Sequence, residues 1–318
     1  MKPLGRISAL VTGGAGFIGS HLVDALLETG AEVRVLDDMS TGRVENLAQC
    51  RNRIDLIEGD IRDPRTCRAA CAGVDVVFHQ AALGSVPRSL VEPDTTIAIN
   101  TLGTANVFTA ARDNGVTRVV YASSSSVYGD SERLPKREGE EGRPLSPYAL
   151  SKTMCEDLAV QYNDNFGMEI IGLRYFNIYG SRQNPEGPYA AVIPRFFSAA
   201  LGEDELLIYG DGDQSRDFTA VADAVTANLL ASQAQPPGDT AAYNVASGRR
   251  TTVNEIAQTI TDLTGREARP EYEPPRPGDV RHSLADLSKA SEELGYRPTI
   301  TLEEGLESCL AYYRSLPT

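Results

Sequence analysis

Short runs of four or five apolar residues alternate, along the first half of the chain, with longer stretches whose apolar positions recur at helical spacing. Ile7, Ala9, Leu10 and Val11 read as a buried strand, and Phe17 to Thr29 as an amphipathic helix. Val33-Arg34-Val35-Leu36 gives a second strand ending in Asp37 and Asp38, and residues 54 to 61 a third. Val74 to Ala82 gives a fourth, followed by a helix opening at Asn100 and running to Asn114. Arg118 to Ala122 is the fifth strand, Tyr148 to Phe166 a further helix, and Glu169 to Arg174 a sixth strand. This alternation predicts an α/β fold with a parallel sheet doubly wound by right-handed crossovers. After Arg174 the texture shifts to Gly, Pro and isolated Arg, which predicts a second lobe of loops and short elements.

Between the first strand and the first helix, Gly13, Gly16 and Gly19 recur at three-residue spacing. Such a turn serves either tight helix packing or the approach of backbone N–H groups to a pyrophosphate at a helix N-terminus. Asp37 lies 18 residues beyond Gly19, where a carboxylate accepts hydrogen bonds from ribose hydroxyls and repels a 2′-phosphate. Together they predict NAD rather than NADP. Asp60 and Ile61, at the end of the third strand, offer an adenine contact or a plain strand-end carboxylate.

The fifth strand delivers four consecutive serines, Ser123 to Ser126, bracketed by apolar strand and by Val127-Tyr128-Gly129. A polar, proline-bearing loop then leads to Tyr148-Ala149-Leu150-Ser151-Lys152, which places phenol and ammonium on one helical face. A phenol titrates near ~10 and is a poor base at neutral pH, and a neighbouring cation favours the phenolate. Beside a nucleotide fold and a serine tip, Tyr148, Lys152 and Ser124 read as the catalytic group.

Composition narrows the partners. At 318 residues the chain exceeds a single core, so two lobes are expected. No apolar run approaches the ~18 residues of a membrane span, and Met1 to Arg6 lacks the apolar segment of a secretory signal, so a cytoplasmic enzyme is expected. A net charge of −14 argues against nucleic acid. Cys50, Cys67, Cys71, Cys155 and Cys309 are scattered without a C-x-x-C pair, and His21, His79 and His282 are dispersed, so reduced thiols and no metal are expected. Arg182, Arg195, Arg216, Arg276 and Arg281 are candidates either for surface ion pairs or for a diphosphate.

With these motifs placed, the whole chain resembles the extended short-chain dehydrogenase/reductase superfamily and its nucleotide-sugar 4-epimerases, above all bacterial UDP-N-acetylglucosamine 4-epimerases. The supporting stretches are Ala81 to Ser89, Leu173 to Gly180, Tyr189 to Phe196 and Gly278 to Asp286. The resemblance implies a Rossmann-type domain over residues 1–175, with 218–247 returning to it, and a mixed α/β UDP-sugar lobe over 176–318. It implies that NAD meets Gly13, Gly16, Phe17, Ile18, Gly19, Asp37, Asp38, Ser40, Gly42, Asp60, Ile61, Gln80, Ala81, Ala82, Asn100, Ser123, Tyr148, Lys152 and Tyr175. Asn177, Arg216 and Arg276 would hold the UDP diphosphate, with Ala191, Val192 and Arg195 near uracil and ribose. Ser85, Val86, Arg88, Ser125, Ser126, Tyr209, Asp279 and Ser283 would complete the substrate site. Sugar 4,6-dehydratases of this fold carry Thr-Asp-Glu at the serine run, and UDP-glucuronate decarboxylases keep Glu at the position of Ser126. The family gate beside the sugar's C2 substituent falls on Ser283, leaving room for N-acetyl. The resemblance therefore implies UDP-GlcNAc/UDP-GalNAc interconversion. UDP-glucuronate 4-epimerase is the alternative, with Arg88 facing the carboxylate, and a non-catalytic NAD sensor the reading from another class. A homodimer through the helices at 100–114 and 148–166 is also implied.

Overall fold

Ser8–Thr12 forms β1, four of whose five residues are buried in a computed structural model that describes residues 7–186, 190–202, 205–235, 242–265, 270–275 and 280–316. The glycine turn leads into α1 (Phe17–Glu28), which buries Leu22, Val23, Leu26 and Leu27 at helical spacing. β2 (Glu32–Asp37) and β3 (Ile54–Glu58) follow, then α2 (Pro64–Cys71), which starts on an Asp63 cap with Pro64 at its first position. Next come β4 (Val76–His79), α3 (Val86–Val91) and α4 (Pro93–Ile97), which passes through a π turn at Ala98–Gly103 into α5 (Thr104–Asp113). β5 (Arg118–Ser124), α6 (Pro147–Phe166) and β6 (Glu169–Tyr175) complete the first half.

Several boundaries differ from the sequence reading: the third strand ends at Glu58 rather than at residue 61, and the fourth spans Val76–His79 rather than 74–82. The helix expected to open at Asn100 begins seven residues earlier at Pro93, because Asn100 is not a cap: it is fully buried in the π turn. β5 extends into the serine run through Ser124, and the serines beyond it form a 3-10 turn, Ser125–Tyr128.

In the second half, β7 (Ile178–Tyr179), α7 (Val192–Gly202), β8 (Leu206–Tyr209), β9 (Ser215–Arg216) and β10 (Thr219–Ala220) lead to α8 (Val221–Gln233) and β11 (Ala242–Val245). β12 (Thr251–Thr252), α9 (Val253–Thr264), β13 (Pro270–Glu273) and α10 (Leu302–Ser315) follow. The main sheet is wholly parallel in the order β11-β6-β5-β4-β1-β2-β3. Alternate residues of its strands feed two cores. Ala9, Val11, Phe78 and Val120 pack toward α1 and α8, whereas Leu10, Val77, Val119 and Tyr121 pack toward α2, α5 and α6. A third core, with Phe196, Phe197, Ile256, Ile260, Leu306 and Tyr313, holds α7, α9 and α10 together.

All five cysteines are buried and unpaired, and burial pushes Cys67 and Cys71 up to about 12. Among the described residues no helix is long and apolar enough to cross a membrane, and no cluster of three His, Cys, Asp or Glu could hold a metal.

Candidate active site

A cavity of about 910 Å³ runs along the C-terminal ends of β1, β2, β4, β5 and β6, where open parallel sheets hold their ligands. Gly13 has φ of 69°, and a Cβ there would lie 2.6 Å from the Ala81 nitrogen. The backbone of β1's turn therefore lies directly against the small-residue loop after β4. α1 starts on Gly16 with no side-chain cap and no acidic residue in its first turn. Phe17, Ile18 and Gly19 line the cavity, so this first turn presents orphan N–H donors and the positive end of the helix dipole to any anion that enters.

Asp37, Asp38, Ser40, Asp60 and Ile61 line the next part of the wall. Asp37 is 6% exposed; its Oδ2 accepts from the Ala15 N–H and its Oδ1 from the Met39 N–H, both at 2.9 Å. Burial raises its pKa above the usual carboxylate range, with the two amides acting against that shift. Gly42 packs behind it, for a Cβ there would lie 2.7 Å from the Asp37 Oδ1. The Asp38 Oδ1 accepts from the Ser40 N–H and O–H at 2.9 and 2.6 Å. Hydrogen bonds from Arg62 hold the Asp60 carboxyl below its ordinary range.

At the other end, α6 is fastened to the tip of β5. The Lys152 Nζ donates to the Ala122 carbonyl at 2.7 Å and lies 6.0 Å from the centre of the Tyr148 ring, while the Ser123 hydroxyl donates to Glu156, one turn further along α6. Glu156 in turn receives two hydrogen bonds from Arg174, at 2.9 and 2.7 Å. The Ser124 Oγ accepts from the Ser126 N–H at 3.1 Å, which leaves its own O–H to donate. The Ser126 Oγ and the Gln183 Oε1 are buried without a hydrogen-bond partner, and both residues line the cavity. Ser125, Tyr148 and Lys152 line it too.

Two polar groups beneath this surface fix its floor. His79 meets the Thr12 hydroxyl at 2.7 Å and the Thr104 hydroxyl at 2.9 Å, and burial, with the Lys152 charge acting in the same sense, lowers it to about 3. The Tyr175 hydroxyl donates to Gln80 at 3.1 Å and accepts from Asn228 of α8 at 2.7 Å, so the second half of the chain braces the first.

From the second half of the chain, Asn177, Arg216 and Ser283 line the cavity, joined by Val86 from α3 and by Gln80, Ala81 and Ala82. The Arg216 Nη1 donates to the carbonyls of Ser215 and Arg281 at 3.1 and 3.2 Å. Other sequence candidates stand apart. Asn100 spends its side chain on the Leu83 backbone and the Ser151 hydroxyl, holding the loop after β4 against α6 rather than reaching the cavity. Ser85 caps α3 by accepting from the Arg88 N–H at 3.2 Å, and neither residue is in the lining. Ala191 and Val192 lie at the start of α7 outside it, and Arg195 rests 5.9 Å over the Tyr209 ring. Arg276 and Asp279 lie outside the described residues, as does Tyr189. Tyr128, at the end of the 3-10 turn, joins the wall, as do Lys136 and Gln183, which come from loops whose path only the fold determines.

The chain is similar to known proteins over almost its whole length. The family model described as GDP-mannose 4,6 dehydratase matches residues 10–309. A putative UDP-glucose 4-epimerase of Methanocaldococcus jannaschii is 39% identical over 96% of this chain and 98% of its own length. The UDP-N-acetylglucosamine 4-epimerase of Methanobrevibacter ruminantium, solved with UDP-N-acetylmuramic acid, superposes with a TM-score of 0.93 at 38% identity, covering 98% of this chain and 99% of the other. The UDP-glucose 4-epimerase of Thermus thermophilus, solved with NAD, gives 0.89 at 34%, covering 97% and 99%. A match over almost the whole length, together with the glycine turn, the serine tip and the Tyr-Lys helix lining one cavity, makes this chain a member of the GDP-mannose 4,6-dehydratase-type family of extended short-chain dehydrogenases/reductases.

Proposed function

We propose that this chain, an NAD-dependent UDP-sugar 4-epimerase, takes UDP-GlcNAc and UDP-GalNAc as its preferred pair, with UDP-Glc and UDP-Gal as poorer substrates. The observation that carries the choice is Ser283, a small side chain, 9% exposed, in the cavity wall at the position of the family gate. A serine leaves volume there that a bulkier residue would take from an N-acetyl group.

The residues present suit NAD. The uncapped first turn of α1 offers donors and dipole to a diphosphate, and Asp37 stands where ribose hydroxyls would donate to its carboxylate. When bound, NAD supplies a reversible hydride acceptor. Tyr148 takes the proton of the sugar 4-hydroxyl and later returns it. Lys152 is fixed on the Ala122 carbonyl, with its ammonium 6.0 Å from the centre of the Tyr148 ring. Ser124, with its proton free to donate, holds the 4-oxygen through the keto stage. Asn177 and Arg216 hold the UDP diphosphate while the sugar turns. Ser125 and Ser126 stand where elimination of water would call for an acid and a base, so the keto sugar is reduced again rather than dehydrated. An NMR product assay on UDP-GlcNAc and UDP-Glc in parallel tests this reading. Failure to interconvert either would overturn it, and faster turnover of UDP-Glc would overturn the preferred pair.

We also propose a homodimer. Ile97, Leu102, Ala105 and Leu158 form an apolar patch across α4, the π turn, α5 and α6, with Leu102 54% exposed, and a second copy of the same patch would cover it.

A further inference from the structure

Arg174, near the end of β6, is 5% exposed, and its register sets it between Ser123 of β5 and Asn244 of β11. Its guanidinium holds three separate parts of the chain. Nε and Nη2 donate to the two carboxylate oxygens of Glu156 on α6, at 2.9 and 2.7 Å, a bidentate fit that a planar fork makes and a point charge does not. Nη1 donates to the Tyr128 hydroxyl at 3.0 Å and to Glu141, in the loop that follows the serine run. The guanidinium carbon also lies 5.0 Å from the centre of the Tyr128 ring.

Each partner leads on to the cavity wall or to what borders it. Glu156 stands one helical turn beyond Lys152 and accepts from the hydroxyl of Ser123, which lines the cavity. Tyr128 lines it as well, and its hydroxyl donates to Asn244 at 2.7 Å. Asn244 donates in turn to the carbonyls of Lys136 and Asp286, at 2.9 and 3.0 Å, and the Asp286 N–H donates to the Lys136 carbonyl at 2.9 Å. Asp286 stands three residues past Ser283. Glu141 precedes Gly142, whose N–H donates to the Tyr128 carbonyl at 3.1 Å. One buried cation thus joins the helix that carries Tyr148 and Lys152 to the tip of β5, to the loop after the serine run and to the segment that carries Ser283. Arg174, Glu141 and Glu156 themselves stay outside the cavity lining. For stability alone, apolar side chains of similar volume would serve as well, because burying charges costs desolvation. What apolar packing lacks is direction, which a bidentate pair supplies.

We propose that Arg174 is a positioning residue for the 4-epimerase reaction: through Glu156, Glu141 and Tyr128 it fixes the spacing between the Tyr148 helix and the wall around Ser283. The inference rests on the UDP-sugar 4-epimerase reading above. The grip on UDP assigned to Asn177 and Arg216 does not pass through this network, so its loss falls on the alignment of reacting groups rather than on substrate affinity.

The test measures kcat, KM and melting temperature on the NAD-loaded full-length chain, with whichever of UDP-glucose and UDP-GlcNAc the unaltered protein converts faster. Three variants are compared: Arg174→Lys, Glu141→Gln, and Arg174→Met combined with Glu156→Leu. Arg174→Lys keeps the charge and loses the fork, and should lower kcat by ~10- to 100-fold, the range of a small misplacement of reacting groups, with KM within ~3-fold. Glu141→Gln should give a smaller drop of the same kind. The double variant leaves neither member of the Arg174–Glu156 pair as a lone charge, yet its kcat should stay low. A kcat per folded molecule unchanged in Arg174→Lys while its melting temperature falls would make the residue a stabiliser only and overturn the proposal. KM rising at constant kcat, or kcat restored in the double variant, would overturn it too. Should Arg174→Lys fail to fold, Glu141→Gln decides: an unchanged kcat there overturns the proposal, and a lowered kcat at constant KM upholds it. If the unaltered protein converts neither sugar, the epimerase reading falls and the positioning role with it, whereas an active enzyme indifferent to all three changes removes only the positioning role.

Discussion

Tyr148 and Lys152 stand four apart on α6, with the ammonium tied to the tip of the neighbouring strand. Tyr148→Phe should therefore cost ~100- to 10,000-fold in interconversion, the range of a lost general acid–base group, while NAD still co-purifies; near-normal turnover in the NMR assay would remove Tyr148 from the chemistry. Ser283→Tyr should raise KM for UDP-GlcNAc far more than for UDP-Gal, and an equal change on both would show that this wall does not face the C2 substituent. Asp37 carries a pH signature. Its pKa is raised by burial, so as the medium is acidified its carboxylate is lost earlier than an exposed one. NAD affinity should weaken as pH falls through that raised value, and Asp37→Asn should flatten the profile in a calorimetric titration.

At the scale of elements, the sheet and the glycine turn were legible because each has a local physical cause: buried strands read as apolar runs, and a dinucleotide turn needs glycine where backbone meets backbone. Gly19 illustrates it, since a Cβ would lie 2.1 Å from the Gly13 carbonyl oxygen. Gly19→Ala should destabilise the fold by ~1–3 kcal/mol, the usual cost of overpacking, and lower NAD occupancy, both readable in a melting curve with and without NAD. What stayed hidden depends on distant partners. Asn100 looked like a helix start because asparagine caps helices, yet its partners are Leu83 and Ser151, the latter 51 positions away. Lys136 looked like one charge in a polar loop until that loop closed over the cavity. His79 looked isolated, and is instead clamped between Thr12 and Thr104. That clamp also has a pH consequence. With a folded value of about 3 against ~6.5 when unfolded, the unfolded chain takes up the extra proton between those limits. Stability from this group is complete above ~6.5 and lost as pH falls, by ~1.4 kcal/mol per unit; His79→Gln should shorten the acid limb of a plot of melting temperature against pH.

For the whole molecule, the face made by α4, α5 and α6 joins the helix that carries Tyr148 and Lys152 to the proposed dimer contact. Leu102→Glu should convert a dimer into a monomer in sedimentation runs, and a species already monomeric before the change would refute the contact. The order of the central sheet carries a different consequence, one about synthesis. Its outermost strand on one side, β11, is drawn from residues 242–245, and the helix that covers β5 and β6, α8, from residues 221–233. A ribosome that has finished residues 1–175 has made Gly13, Gly16, Gly19, the serine run, Tyr148 and Lys152, yet the β6 edge still lacks its neighbour and one sheet face lacks half its cover. The nascent chain must wait some seventy residues more before this half can close, and a fragment stopped at Tyr175 should expose an open strand edge and aggregate rather than bind NAD.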